Sequence, residues 1–127
     1  MKKDQIEDHL SAYKEYQKNH IFHWNQIASK KHQWNLCNRY YHQRLRDVMK
    51  FVVPHGQRVI EIGCGTGELL AALQPSYGLG IDFSTEMIKQ ARDRHPDLHF
   101  LPADAHELDI KDKFDFVILS DVVNELW

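Results

Sequence analysis

The stretch Val59–Leu70, reading Val-Ile-Glu-Ile-Gly-Cys-Gly-Thr-Gly-Glu-Leu-Leu, constrains what this chain can fold into more than any other. Val59, Ile60 and Ile62 are β-branched and suit a buried, pleated strand. Gly63, Gly65 and Gly67 permit positive φ and carry no side chain, so a ligand can approach the backbone closely. Thr66 is placed to cap a helix beginning at Glu68, whose free N–H groups face the same side as the glycines. A plain strand-to-helix turn needs one glycine, not three, and the turn is therefore expected to hold a ligand. Cys64 fits within it as a small spacer; no partner base can be placed beside it to make a nucleophile.

Beyond Arg58, strand and helix patterns alternate. A short helix runs from Glu68 to Leu73 and stops at Gln74-Pro75, and a second strand covers Tyr77–Asp82. Ser84 caps a helix through Arg92 that ends near His95-Pro96. Leu98–Leu101 reads as a third strand, and Phe114–Ser120 as a fourth, apolar enough to expect burial on both faces. Such alternation predicts an α/β fold, a Rossmann-like, doubly wound, mainly parallel sheet of which the first four strands are present. Residues 1–57 read instead as a helical segment, a cap or lid to the 58–127 unit. Its first helix is weakly amphipathic through Ile6, Leu10, Tyr13 and Ile21, with a break expected near Asn19 or Ser29. A second, with Trp34, Cys37, Tyr41, Leu45, Val48 and Val52 on one face, ends at Pro54 and Gly56 and is expected to pack on the sheet.

With 127 residues, one modest domain is expected. A formal net charge of −2 and no dense Lys/Arg run argue against a nucleic-acid surface. No segment is apolar enough for a membrane span or an export signal, and two cysteines, Cys37 and Cys64, fit reduced thiols in the cytoplasm. Nine histidines invite a metal reading. His20 and His23 could share a helix face, but no third ligand stands at a recognised spacing, so no metal is expected.

Ligands of such sheets bind beyond the carboxyl ends of the strands. Glu61, Asp82, Asp104 and Ser120-Asp121 fall at or near those ends. Asp82 lies 19 residues after Gly63, the distance expected of a carboxylate that accepts both hydroxyls of a ribose. A dinucleotide fingerprint would put its third glycine at position 68, where this chain has Glu68. A carboxylate at a helix N-terminus repels a pyrophosphate. With Glu61 adding a second negative charge, the site suits a cofactor that carries positive charge, a ribose and no phosphate, as S-adenosylmethionine does.

At these residues the chain resembles the class I S-adenosylmethionine-dependent methyltransferases, in their small-molecule branch. The resemblance covers 58–127 and rests on Val59–Leu70, Gly80-Ile81-Asp82-Phe83-Ser84, Pro102-Ala103-Asp104-Ala105 and Phe114–Ser120 in order. It implies that Glu61 and the turn of Gly63, Cys64, Gly65 and Gly67 hold the methionine part of the cofactor. Asp82 would take the ribose hydroxyls, and Phe83 would lie against the adenine. Asp104 would accept from the adenine amino group beside the Ala105 N–H, and the Ser120 carbonyl would face the ammonium. Met87 either lines the adenine pocket or packs in the helix core. Tyr40 is a candidate contact from the helix before the sheet, whereas Tyr41 is expected in the core. Asp121 is the candidate for orienting an acceptor or acting as base, or else caps the helix Val122–Trp127.

The implied activity is methyl transfer to a small-molecule acceptor whose identity and receiving atom are open. The alternatives are a non-catalytic cofactor-binding or regulatory subunit and a nicotinamide- or flavin-dependent oxidoreductase. The resemblance also implies that the fourth strand lies between the first and a fifth. Trp127 falls inside a helix with no stop signal, so residues 1–127 are expected to be the N-terminal portion of a longer enzyme, or else the open edge pairs with another chain, as in self-association.

Overall fold

Alternation along the first strand, β1 (Arg58–Ile62), divides the interior in two. Val59, fully buried, joins a cluster with Val53, Leu69, Leu70, Leu73, Ile88, Ala91, Phe100 and Ile118. Ile60 joins Leu79 and Ile81 on the opposite face, where Ala103, Leu108, Ile110 and Phe114 lie over them. The computed structural model describes residues 3–29 and 36–120. In chain order these form α1 (Lys3–Ser29), α2 (Leu36–Val52), β1, α3 (Glu68–Ala72), β2 (Tyr77–Asp82), α4 (Thr85–Arg94), β3 (His99–Pro102), a 3₁₀ turn (Ala105–Glu107) and β4 (Phe116–Leu119).

The four strands make one parallel sheet in the order β3-β2-β1-β4. Its helical side carries α3 and α4 through Leu69, Leu70, Ile88 and Ala91, while its other side is covered by the 103–114 segment. At the starting end of the sheet the Arg58 N–H donates to Asp115 Oδ2 at 2.8 Å and the Asp115 N–H returns to the Arg58 carbonyl at 2.8 Å. The Arg58 guanidinium lies 4.6 Å from the Tyr77 ring centroid, tying a third segment to the same corner.

Three expectations change. β4 is not buried on both faces: Ile118 is in the core, but Val117 and Leu119 are 62% and 49% exposed, because no described element covers their side. The inward stripe of α2 is Leu45, Met49 and, just past its end, Val53, rather than Tyr41, Val48 and Val52, all of which are at least half exposed. The two stripes are adjacent on the helix, and the one continuous with Val53 reaches the sheet. Tyr41 therefore lies outside the core, its ring edge-on to His42. α1 runs past Asn19 and ends at Ser29, the second of the two positions expected for its break.

Candidate functional site

The chain runs from β1 outward through β2 and β3, then returns to place β4 on the other flank of β1. That reversal opens a crevice beyond the carboxyl ends of β1 and β4, the general binding position in open α/β sheets. Glu61 and the glycine turn stand on one side of it and Ser120 on the other. Glu61 is 2% exposed and accepts the Ser120 hydroxyl at 2.7 Å. The same hydroxyl lies 3.4 Å from the Gly63 carbonyl.

Parallel pairing of Glu61 with Gly80 and Ile62 with Ile81 brings Asp82 beside the turn. Asp82 Oδ2 accepts the Gly65 N–H and Oδ1 the Ser84 N–H, each at 2.9 Å. Burial pushes the Asp82 pKa above the usual carboxylate range, although backbone N–H groups of Ser84, Gly65 and Phe83 oppose it. Gly65, at φ +54°, has open space where a side chain would stand. The space left by Gly67 is filled by Phe100 and His95 of the protein itself. Cys64 is 6% exposed; burial, then the charges of Glu61 and Asp82, raise its thiol pKa far above neutrality, which suits a spacer.

Two local readings of the turn are corrected. Thr66 does not cap α3: the cap position is Gly67, left-handed at φ 82°, and the Thr66 hydroxyl donates to Glu68 Oε1 at 3.0 Å. Glu68 does not present a bare charge to the crevice. Its carboxylate meets Arg94 Nη1 at 2.6 Å and His95 Nε2 at 3.0 Å. Burial would raise its pKa, but bonds from Arg94, Thr66 and His95 prevail and hold it low. The argument against a pyrophosphate thus rests on Glu61 rather than on Glu68, since a carboxylate at the Asp82 position serves a ribose in either kind of cofactor.

Ser84 caps α4, accepting the Met87 N–H at 3.2 Å, and donates its own hydroxyl to Asn25 of α1 at 2.6 Å. Met87 is 4% exposed, on the inward side of α4 with Ile88 and Ala91. Phe83 lies beside a cavity of about 520 Å³ bounded by Tyr16, Gln17, His20, Ala103 and Asp104, a size that suits a small-molecule ligand. The His20 ring is 5.5 Å from that of Phe83. Asp104 and Ala105 open the 3₁₀ turn at the end of β3, with Asp104 Oδ1 accepting the His106 N–H at 2.8 Å. Tyr40, on α2, is 68% exposed. Asp121 and the Val122–Trp127 helix lie outside the described residues. Among the described residues no group of three His, Cys, Asp or Glu gathers as a metal site would require.

A cap or lid was expected of residues 1–57, but the α1 residues that reach the site were not. Tyr13, Tyr16, Gln17 and His20 follow one another at intervals of three, one and three residues, which places them on one helix face. That spacing was present in the sequence, but Tyr13 was read with Ile6, Leu10 and Ile21 as an apolar stripe and His20 was paired with His23.

The family model described as a methyltransferase domain matches residues 59–127. Among curated proteins the chain is 34% identical over 77 residues to malonyl-[acyl-carrier protein] O-methyltransferase of Anoxybacillus flavithermus, covering 56% of this chain and 30% of that protein. It is 39% identical over 69 residues to demethylmenaquinone methyltransferase of Beutenbergia cavernae, covering 51% and 28%. Among solved structures it resembles a putative methyltransferase of Haloferax volcanii in complex with the Trm112 methyltransferase activator, with a TM-score of 0.62, 28% identity and coverage of 76% and 46%. A methyltransferase from Thiobacillus denitrificans in complex with S-adenosyl-L-homocysteine gives 0.51 at 25% identity, covering 58% and 34%. The chain thus spans less than a third of the length of the two curated relatives. The matched segment takes in the glycine turn, Asp82, Asp104 and Ser120, and on that match the chain belongs to the methyltransferase-domain family, the class I S-adenosylmethionine-dependent methyltransferases.

Proposed function

We propose that the whole protein transfers a methyl group from S-adenosylmethionine to a small-molecule acceptor in the cytoplasm. The observation that carries this reading is the pair of carboxylates at the strand reversal, Glu61 bonded to Ser120 and Asp82 bonded to the Gly65 N–H, with open space at Gly65. Their negative charge matches an ammonium and a sulfonium, and Asp82 keeps lone pairs for ribose hydroxyls after accepting two backbone N–H groups. A cofactor with a pyrophosphate would meet repulsion at the same place.

In this reading Glu61, oriented by the Ser120 hydroxyl, faces the methionine ammonium together with the Ser120 carbonyl. The turn of Gly63, Cys64, Gly65 and Gly67 gives the methionine part its backbone surface. Phe83 lies against the adenine, Asp104 and the Ala105 N–H face its edge, and Met87 backs the pocket from α4. Tyr40 covers the cofactor from α2, and Asp121 orients the acceptor. The cofactor supplies a methyl group already activated on sulfur. The chain's part is to bind, align and exclude water, and well-oriented reactants gain roughly 7–11 kcal/mol that way.

The relatives named above act on different acceptors, so the class of acceptor is left at a small molecule. Titration with S-adenosylmethionine and with NADH tests the cofactor: the first is expected to bind and the second not. NADH binding without S-adenosylmethionine binding would overturn the reading in favour of an oxidoreductase. Tight cofactor binding with no methyl transfer by the whole protein to carboxylate, quinone or amine acceptors would instead assign a non-catalytic subunit.

Self-association through β4 belongs to the same proposal. Among the described residues β4 pairs only with β1, and Val117 and Leu119 are exposed beside its open edge. Gel filtration of residues 1–127 is expected to show a dimer or larger species. A stable, soluble monomer would rule that pairing out.

A further inference from the structure

Asp104 is the residue expected to accept from the adenine amino group, yet its acceptor sites are already taken. Oδ2 receives the Tyr13 hydroxyl at 2.9 Å and the Gln17 side-chain amide at 2.8 Å. Oδ1 receives the His106 N–H at 2.8 Å and lies 2.8 Å from His106 Nδ1. A carboxylate oxygen offers about two lone-pair sites, so Oδ2 has none left for a further donor while Tyr13 and Gln17 are in place. The bonds within the 3₁₀ turn are local. Those from α1 join residues 91 and 87 positions apart, and two of the residues they link, Gln17 and Asp104, line the cavity beside Phe83.

α1 is also held in a way that permits release. None of its residues whose burial is described is buried, and Leu10 and Phe22 are 51% and 65% exposed. Its attachment is polar and aromatic: Tyr13 and Gln17 on Asp104, His20 against Phe83, and Asn25 on Ser84. Among its described side chains little apolar surface is buried, which places that part of the helix at the low end of local stability, able to open without disturbing the core. The Asn25 bond to Ser84 keeps the far end of the exposed face close to the site.

We propose that α1 is a latch on the adenine end of the cofactor site: Tyr13 and Gln17 occupy the Asp104 oxygen that the adenine amino group needs, and cofactor binding requires them to let go. This rests on the S-adenosylmethionine reading of the site. It makes the docked helix a competitor of the cofactor, so the apparent affinity is reduced by the fraction of molecules in which α1 is closed. Burial first, then the Gln17, His106 and Tyr13 bonds, set the Asp104 carboxyl, with the bonds prevailing and holding it at about 2. Burial and the Asp104 bond push the Tyr13 hydroxyl up to about 12. Both directions favour the closed pairing of a carboxylate with a neutral phenol. Its contribution is present above the ordinary Asp value of 3.8 and below the ordinary Tyr value of 10.0.

The test is the double variant Tyr13→Phe/Gln17→Ala, titrated with S-adenosylhomocysteine beside the unaltered protein and Asp82→Ala. Loss of the latch is expected to tighten binding about tenfold, and to speed amide exchange across residues 13–20 without any ligand. In the unaltered protein, adding S-adenosylhomocysteine is expected to speed exchange over the same residues. Equal or weaker binding by the double variant, or slower exchange on adding the ligand, overturns the latch and makes α1 a fixed wall of the pocket. Should the double variant fail to fold, exchange in the unaltered protein still decides. If Asp82→Ala weakens binding while the double variant does not tighten it, the latch alone fails. If neither changes binding, or no S-adenosylhomocysteine binds, the cofactor reading fails and the latch with it.

Discussion

Gly67→Val is expected to cost about 2–6 kcal/mol of folding stability, enough to unfold much of a domain whose total is about 5–15 kcal/mol. Two effects add. Gly67 sits at φ 82°, where a β-branched residue is strained by about 1–3 kcal/mol. A Cβ there would stand 2.7 Å from Phe100 Cζ and 3.2 Å from His95 Cδ2. Phe100 is 6% exposed in the principal cluster, so it can give way only by displacing core neighbours, for about 1–3 kcal/mol more. Gly65→Ala is the comparison. Its φ of +54° costs about 1–2 kcal/mol, but nothing lies within 4 Å of the added methyl. That variant is expected to stay folded and to lose cofactor affinity, because the methyl enters the space left for the ligand. Urea denaturation of both separates the roles: a Gly67→Val protein as stable as the parent would mean that the turn is not packed on Phe100.

This contrast marks how far local pattern carries. Three glycines in one turn all looked like ligand-facing positions, but only the surroundings of Gly65 and Gly67 tell them apart, and Phe100 lies 33 residues beyond Gly67. Features set by neighbours in the chain were legible. β2 has the bounds Tyr77–Asp82 expected from its alternation, and Ser84 caps α4 as its position and chemistry suggest. That the four strands run parallel follows from the same alternation, whereas the place of β4 beside β1 was implied by the resemblance. Features set by distant partners were not. Glu68 was read as an open charge because Arg94 and His95 are 26 and 27 residues away. Asp104 was placed at the right strand end, while Tyr13 and Gln17, its partners from α1, left no local mark at that motif. In α2 two apolar stripes lay side by side, and the choice between them depended on which ran on into Val53.

Asp82 joins the two kinds of information, and its variants are expected to separate binding from folding. Asp82→Ala removes the acceptor for the Gly65 and Ser84 N–H groups, loosening the glycine turn and the start of α4 together. A loss of about 1–3 kcal/mol in stability is expected, the range for stranded donors. It also removes the acceptor for the ribose hydroxyls, expected to weaken cofactor binding by about 2–4 kcal/mol, roughly thirtyfold to a thousandfold. Asp82→Asn behaves differently. The folded protein raises the Asp82 pKa through burial, so it holds that proton more tightly than the unfolded chain does. This group's contribution to stability therefore falls as pH rises from its ordinary value of 3.8 through the raised one. An uncharged amide of the same shape avoids that loss at neutral pH and can still accept one backbone N–H. Its stability is expected to lie closer to the parent's than to the alanine variant's. Its affinity is not, because a single carbonyl oxygen cannot serve the turn, the Ser84 N–H and two hydroxyls at once. Calorimetric titration with S-adenosylhomocysteine, read beside thermal unfolding, gives both quantities, and unchanged affinity in the folded asparagine variant would remove Asp82 from the ribose site.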